Sequence, residues 1–325
     1  MKELVVISGK GGTGKTSIIA SFAVLARQAV VADCDVDAAD LHLVLQPQVQ
    51  RREDFSAGCK ARIVVDRCSA CGQCQTLCRF DAVRFDNPGN GRVAKTYRVD
   101  PISCEGCGVC FDFCPENAIV FEQAVCGQWF VSQTRCGPMI HARLRVAAEN
   151  SGKLVTQLRS TAQQVAREQK RRLILCDGPP GIGCPVIASL TGASLALFVV
   201  EPTASGQHDF LRVAQLTNEL RVPGVLTVNK ADLNEEVTKR LEGQARQQGI
   251  AVAARIPYDR AVTQAQIAGS AVVEFSDGPA AQAIRRLWND TKDLLRSNTS
   301  NIAESVSWAG DRVPDKNLCS HRPVE

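Results

Sequence analysis

Gly9-Lys10-Gly11-Gly12-Thr13-Gly14-Lys15-Thr16 is the stretch that decides the fold. It matches the phosphate-loop pattern GxxxxGK[ST], and its flanks are the ones that pattern needs. Leu4-Val5-Val6-Ile7 is a short apolar run, as expected of a parallel strand buried on both faces. A helical segment from Lys15 to about Arg27 follows. Backbone N–H groups of such a loop, together with the helix N-terminus, cradle phosphate oxygens. Gly9, Gly11, Gly12, Thr13 and Gly14 would form the cradle. Lys15 would reach the β- and γ-phosphates, and the Thr16 hydroxyl would bind Mg²⁺.

Outward from this loop, apolar runs alternate with helical patterns. Ala29–Ala32 ends in Asp33-Cys34-Asp35, and RRLILCD ends in Asp177 and continues into GPPGIG. Further strand-like runs are Leu195–Val200, Gly224–Val228 and Ile250–Ala254, with helices between them and another over about Pro279–Arg296. The expected fold is α/β, a mainly parallel sheet flanked by helices. Carboxylates at the C-terminal ends of such strands lie where ligands bind. Asp33, Asp35, Asp37 and Asp177 are therefore candidates, although an isolated Asp also serves as a helix cap or turn residue. Val228-Asn229-Lys230-Ala231-Asp232 fits the NKxD pattern that reads guanine, which keeps GTP open.

Residues from about Cys59 to Phe121 break the rhythm and contain an internal repeat. RCSACGQCQTLCRFDAVRF and SCEGCGVCFDFCPENAIVF follow one template, which means one structural unit used twice. Cys68, Cys71, Cys74 and Cys78 have C-x₂-C-x₂-C-x₃-C spacing, and so do Cys104, Cys107, Cys110 and Cys114. Three thiolates in a tight loop hold three corners of a [4Fe–4S] cubane, and the fourth comes from the other repeat, as in two-cluster bacterial ferredoxins. One cluster would use Cys68, Cys71, Cys74 and Cys114, the other Cys104, Cys107, Cys110 and Cys78. Pro115 follows the second run, whereas Arg79 stands in its place after the first. Zinc is the competing metal, since paired C-x₂-C also signals it. The third and fourth cysteines of each copy are not explained by zinc.

The chain has 325 residues, 15 cysteines and a net charge of +4. That charge is too small to imply a nucleic-acid partner. The first residues lead straight into a strand pattern with no secretory signal, and metal-ligand cysteine spacing favours a reducing cytoplasm. No apolar run of ~18 residues argues for a membrane span.

Lys10 in the second loop position makes the loop resemble the deviant Walker A motif of the MinD superfamily, related to the nitrogenase iron protein. The whole chain to about residue 296 resembles members of that superfamily with an inserted two-[4Fe–4S] ferredoxin domain of bacterial type. The resemblance implies a nucleotide-sandwich homodimer in which Lys10 reaches the partner's nucleotide. It implies ATP with Mg²⁺, Asp35 orienting the attacking water with Asp37 as fallback, Asp33 near magnesium, and Asp177 in switch II. Asn229, Asp232 and the segment around Pro257 would close over adenine. Cys184 follows Asp177 at the spacing of a cluster ligand in the nitrogenase iron protein, so Cys136 and Cys184 are candidates for a cluster bridging two subunits. The commoner reading of such free cysteines is as buried small hydrophobes.

The expected organisation is an ATPase domain over residues 1–58 and 123–296, a ferredoxin insert over 59–122 and a disordered tail over 297–325. Three functions follow: ATP-coupled electron transfer, a metallocluster assembly or carrier ATPase, and a positioning ATPase like MinD. The redox or client partner is not named by the sequence. The positioning reading needs a surface-binding element, and the apolar face of Ile284, Leu287, Trp288 and Leu295 suits a docked helix as well as an anchor.

Overall fold

The computed structural model describes residues 1–145 and 151–297; the tail expected over 297–325 lies, but for its first residue, outside them. The first part of the chain forms β1 (Lys2–Ser8), α1 (Lys15–Ala26), β2 (Val30–Asp33), α2 (Leu41–Leu45) and β3 (Gln48–Ile63). The cysteine-rich part adds α3 (Gln73–Leu77), β4 (Val83–Pro88), β5 (Lys95–Val99) and α4 (Val109–Asp112). Then come β6 (Ile119–Thr134), β7 (Gly137–Leu144), α5 (Ser151–Glu168), β8 (Leu173–Pro180) and α6 (Cys184–Leu190). The chain continues through β9 (Leu195–Val200), α7 (Ala204–Glu219), β10 (Gly224–Val228), α8 (Glu235–Gln247) and β11 (Ala251–Val252). It closes with α9 (Arg260–Ile267), α10 (Val272–Phe275) and α11 (Pro279–Ser297).

Nine strands form one sheet in the order β11-β10-β9-β1-β8-β2-β7-β6-β3. Pairing is parallel from β11 to β7. β1 lies in the middle of the parallel part, so its Leu4–Ile7 run is fully buried, and β8 and β2 beside it bring Asp177 and Asp33 into register. Two residues, Arg135 and Cys136, join β6 to β7 in a hairpin.

The chain divides into two compact units. One contains Met1–Glu53, Gln128–Leu144 and, among the described residues, Ser151–Ser297. The other is built on Asp54–Gly127, so it begins before Cys59 and ends after residue 122. The reason is that β3 and β6 are each 16 residues long, and the boundary falls inside both. Within the second unit, β4 and β5 form an antiparallel pair. Its small core gathers Ile63, Ala82, Val83, Tyr97, Ala118 and Ile119 with cysteine side chains.

Two features anchor the first unit. Arg159 of α5 donates Nε to Glu3 Oε1 of β1 at 2.6 Å and Nη1 to the carbonyls of Ala188 and Thr191 at 2.6 and 2.8 Å. Breaking so buried a pair by removing one partner costs about 3–5 kcal/mol, which ties α5 and α6 to the sheet. α11 buries Ile284, Leu287, Trp288 and Leu295, and Trp288 meets Phe22 of α1 with ring centroids 4.9 Å apart. The apolar face of this helix is therefore docked. No described helix is long and apolar enough to cross a membrane.

Candidate nucleotide site and thiol pockets

β1 delivers the loop Gly9–Gly14 to α1, whose first residue is Lys15. Two glycines are needed for identifiable reasons. A Cβ on Gly9 would lie 2.2 Å from the Asp209 Cβ of α7, so only a bare backbone passes there. Gly14 has φ +92° at the helix cap, and a Cβ there would sit 2.5 Å from Asn229 Nδ2. That amide donates to the Thr13 carbonyl at 2.8 Å, so Asn229 braces the loop. The loop opens on a cavity of about 510 Å³ lined by Gly11–Ser17, Asp35, Asp40, Asn229 and Lys230. Lys15 is buried with its ammonium 3.7 Å from Asp35 Oδ2, and Thr16 donates Oγ1 to Asp177 Oδ2 at 2.9 Å.

The three carboxylates carry the strongest electrostatic signal. Asp33 and Asp177 are each 1% exposed. Burial raises the Asp33 carboxyl well above its usual range, with repulsion from Asp177 and Asp35 adding to it. Burial also raises Asp177 to about 7 against the pull of Lys15 and the Thr16 hydroxyl, and raises Asp35 despite Lys15. Among the described residues, both Asp33 carboxylate oxygens and Asp177 Oδ1 lack a hydrogen-bond partner, although the Asp35 and Leu41 amides lie near Asp33. Buried acids crowded in this way call for a cation, and Mg²⁺ held by one or two carboxylates, a hydroxyl and phosphate oxygens suits them. Asp37, the fallback for the water-orienting role, is exposed and lines a different cavity. Asp35 is the one that faces Lys15.

Of the residues expected at the base, Asn229 lines the cavity, whereas Asp232 and Pro257 do not. Asp232 Oδ1 accepts the Tyr258 N–H at 2.7 Å, which ties the NKxD segment to the chain around Pro257. Lys10 is held within its own chain. Its ammonium lies 3.3 Å from Glu201 Oε2 and 3.4 Å from Thr203 Oγ1. Glu201 also accepts from Lys230 at 2.5 Å. Partial burial works against ionisation of Glu201, but the bonds from Lys230 and Lys10 keep its carboxyl below the usual range. Sequence reasoning missed Glu201. The available signal was an acid closing the apolar strand β9 at the sheet's ligand-binding end.

In the second unit the eight repeat cysteines sort into two cavities. Cys68, Cys71, Cys74 and Cys114 ring one, with Ile63, Ala118 and Ile119. Cys78, Cys104, Cys107 and Cys110 ring the other, with Ala61, Val83 and Phe121. The two halves repeat a detail: the Ala82 N–H points at Cys78 Sγ and the Ala118 N–H at Cys114 Sγ, both at 3.3 Å. Burial and then neighbouring thiols raise Cys74 and Cys110 to about 11, so these sulfurs ionise only with a compensating positive charge. Among the described residues no three His, Cys, Asp or Glu side chains close on a point that would hold a single metal ion. Arg79, at the place Pro115 occupies in the second repeat, puts its guanidinium 5.7 Å from the Phe80 ring centroid.

Cys136 is buried in the β6–β7 turn, and burial raises its thiol. Cys184 is exposed at the start of α6.

The sequence model of the CobQ/CobB/MinD/ParA nucleotide binding domain (CbiA) matches residues 4–272. The chain belongs to this family. The uncharacterised protein MJ0578 of Methanocaldococcus jannaschii is 33% identical over 244 residues, 71% of this chain and 79% of that one. The fold is similar to the cell division ATPase MinD of Pyrococcus furiosus, with a TM-score of 0.52 and 17% identity, over 90% of this chain and 99% of that one. It is similar as well to the septum site-determining protein MinD of Pyrococcus horikoshii complexed with Mg-ADP. There the TM-score is 0.52 and the identity 16%, over 91% and 98% of the two chains. The chain is thus a nucleotide-binding protein of the MinD/ParA kind, with an α/β phosphate-loop fold. Neither the family match nor these likenesses speaks to iron–sulfur clusters.

Proposed function

We propose that this protein is a Mg²⁺-dependent ATPase that works as a homodimer, and that its nucleotide state governs electron transfer through two [4Fe–4S] clusters. The observation that carries the redox half is the sorting of the cysteines, three from one repeat and one from the other around each cavity. Such clusters supply one-electron transfer when bound. The ATPase half rests on the family and on the carboxylate group beside the phosphate loop. Lys15 would neutralise phosphate charge, and Thr16, Asp33 and Asp177 would hold Mg²⁺. Asp35 orients the attacking water. Lys10 exchanges Glu201 for the nucleotide of the partner subunit when the dimer closes. ATP is preferred to GTP because Asp232, the residue that would read guanine, is engaged by the Tyr258 amide. The proposed location is a reducing cytoplasm, which keeps the thiols available.

Two chain segments, β3 and β6, carry residues of both units. Each therefore offers a covalent route by which the nucleotide cycle reaches the thiol unit.

The fold likeness to MinD supports a second reading, a positioning ATPase that assembles on a partner or membrane surface. The docked face of α11 removes the surface element the sequence suggested for it. A cluster bridging two copies through Cys136 and Cys184 is a further proposal, and it requires Cys136 to leave the core.

Anaerobic iron and sulfide analysis with an ATPase assay tests the main reading. About eight irons per chain with Mg²⁺-dependent ATP hydrolysis support it. An iron-free protein after anaerobic reconstitution that sediments with liposomes only with ATP would replace it with the positioning reading.

A further inference from the structure

The segment after β2 has two working sides. Asp35, Asp40 and Val44 line the phosphate cavity. Asp37, His42 and Gln46, interleaved with them, line a second cavity of about 640 Å³. Arg52 of β3, Phe130 of β6, and His141 and Arg143 of β7 form its other side, and all of these belong to the first unit.

The chemistry of this lining is one-sided. Two guanidiniums share it with one carboxylate, Asp37, and with two imidazoles, of which burial keeps His141 uncharged. Neither Arg52 nor Arg143 forms an ion pair among the described residues. Phe130 stacks with the His141 ring at 4.9 Å between centroids and 24° between planes, and the Arg52 guanidinium lies 5.5 Å from the Phe130 centroid. Ser132 Oγ is 2.9 Å from His141 Nε2, which fixes the imidazole. Free guanidinium forks match carboxylate or phosphate groups, and the half-buried His141 ring, backed by Phe130, offers a planar surface. The volume suits a small molecule rather than an ion. His141 and Arg143 also give a use to a segment, HARLRV, that the nucleotide chemistry leaves without one.

We propose that this cavity binds a small organic anion, a carboxylate or phosphate on a planar body, and that its occupancy is coupled to the nucleotide through the shared wall Asp35–Gln46. A wall that lines both cavities moves for both ligands, and the coupling is reciprocal: each ligand changes the other's affinity by one factor. The thiol unit plays no part, so failure of the cluster reading leaves this proposal standing.

The test uses the full chain and two fluorescent probes, anilinonaphthalene sulfonate and its neutral counterpart N-phenylnaphthylamine. Titrations are run with and without saturating Mg-ADP. The expected result is an anionic-probe Kd about tenfold weaker in the R52Q/R143Q double variant, partly restored in R52K/R143K, with the neutral probe indifferent to both. Mg-ADP should shift the wild-type Kd at least threefold, and the anionic probe should shift the Mg-ADP Kd by the same factor. Absence of binding, or equal binding by wild type and R52Q/R143Q, overturns the site. Arginine-dependent binding that ignores Mg-ADP overturns the coupling. Displacement of the probe by micromolar poly-glutamate overturns the small-molecule assignment in favour of an acidic protein segment.

Discussion

Asp177→Asn should stabilise the nucleotide-free protein while destroying its use of Mg²⁺. Burial raises Asp177 from 3.8 to about 7, with Lys15 and the Thr16 hydroxyl opposing. Forcing such a group to ionise in the folded state costs about 4 kcal/mol. Sharing that repulsion with Asp33 and Asp35 brings the recoverable part to about 2–3 kcal/mol. The amide keeps an oxygen to accept from Thr16, and its new N–H lies beside Asp33, whose oxygens lack donors. The pH dependence has a definite sign. A carboxyl raised on folding binds its proton more tightly in the folded state, so wild type loses stability as pH rises from about 4 to about 7. The variant lacks that loss. Its advantage should be near zero at pH 4 and reach about 2–3 kcal/mol by pH 8, or about 5–10 °C in melting temperature. Thermal unfolding of both proteins across this range, without nucleotide or Mg²⁺, is the assay. A variant less stable than wild type at pH 8, or a difference independent of pH, would refute the reasoning.

Gly9→Ala forces a methyl group against Asp209 of α7, so we expect about 1–3 kcal/mol lost in urea unfolding together with weaker nucleotide binding; an unchanged midpoint would show that α7 yields freely. Cys114→Ser should abolish the cluster expected on Cys68, Cys71 and Cys74, and spare the one on Cys78, Cys104, Cys107 and Cys110. Iron falling from about eight to about four per chain checks this, and loss of both clusters or neither would contradict the crossed assignment. Burial first, then His42 and Arg143, lowers His141 to about 4. A histidine depressed on folding supports stability fully above its unfolded value near 6.5 and loses it as pH falls towards 4, here about 2 kcal/mol after allowance for partial exposure. Unfolding of His141→Gln should lack that acid-side loss, and an identical profile would exclude the assignment.

The phosphate loop and the parallel strands beside it were legible because each is a short apolar run ending in chemistry: Ser8 into the loop, Asp33, Asp177. The long strands β3 and β6 were not. QVQRR opens β3 with exposed, mostly polar residues at the sheet's edge, so neither alternation nor an apolar run marks it. The run Ile250–Ala254 shrinks to the two-residue β11 because it pairs only with β10 at the opposite edge. Glu201 could not be recognised as a site residue from spacing, since its partners Lys10 and Lys230 are brought to it only by folding. The basic cavity is hidden for the same reason: Arg52 and Arg143 are remote in sequence and meet across β3, β6 and β7. What the repeat spacing did reveal, three cysteines plus one from the other copy, rests on local turns that sequence encodes directly.

The central claim is that nucleotide state governs a redox unit, and EPR of the dithionite-reduced, anaerobically prepared protein tests it most directly. Spectra recorded without nucleotide and with Mg-ATP should show two [4Fe–4S] signals whose line shape or potential changes on nucleotide binding. Two signals indifferent to Mg-ATP would contradict the coupling, and no cluster signal at all would contradict the redox account itself.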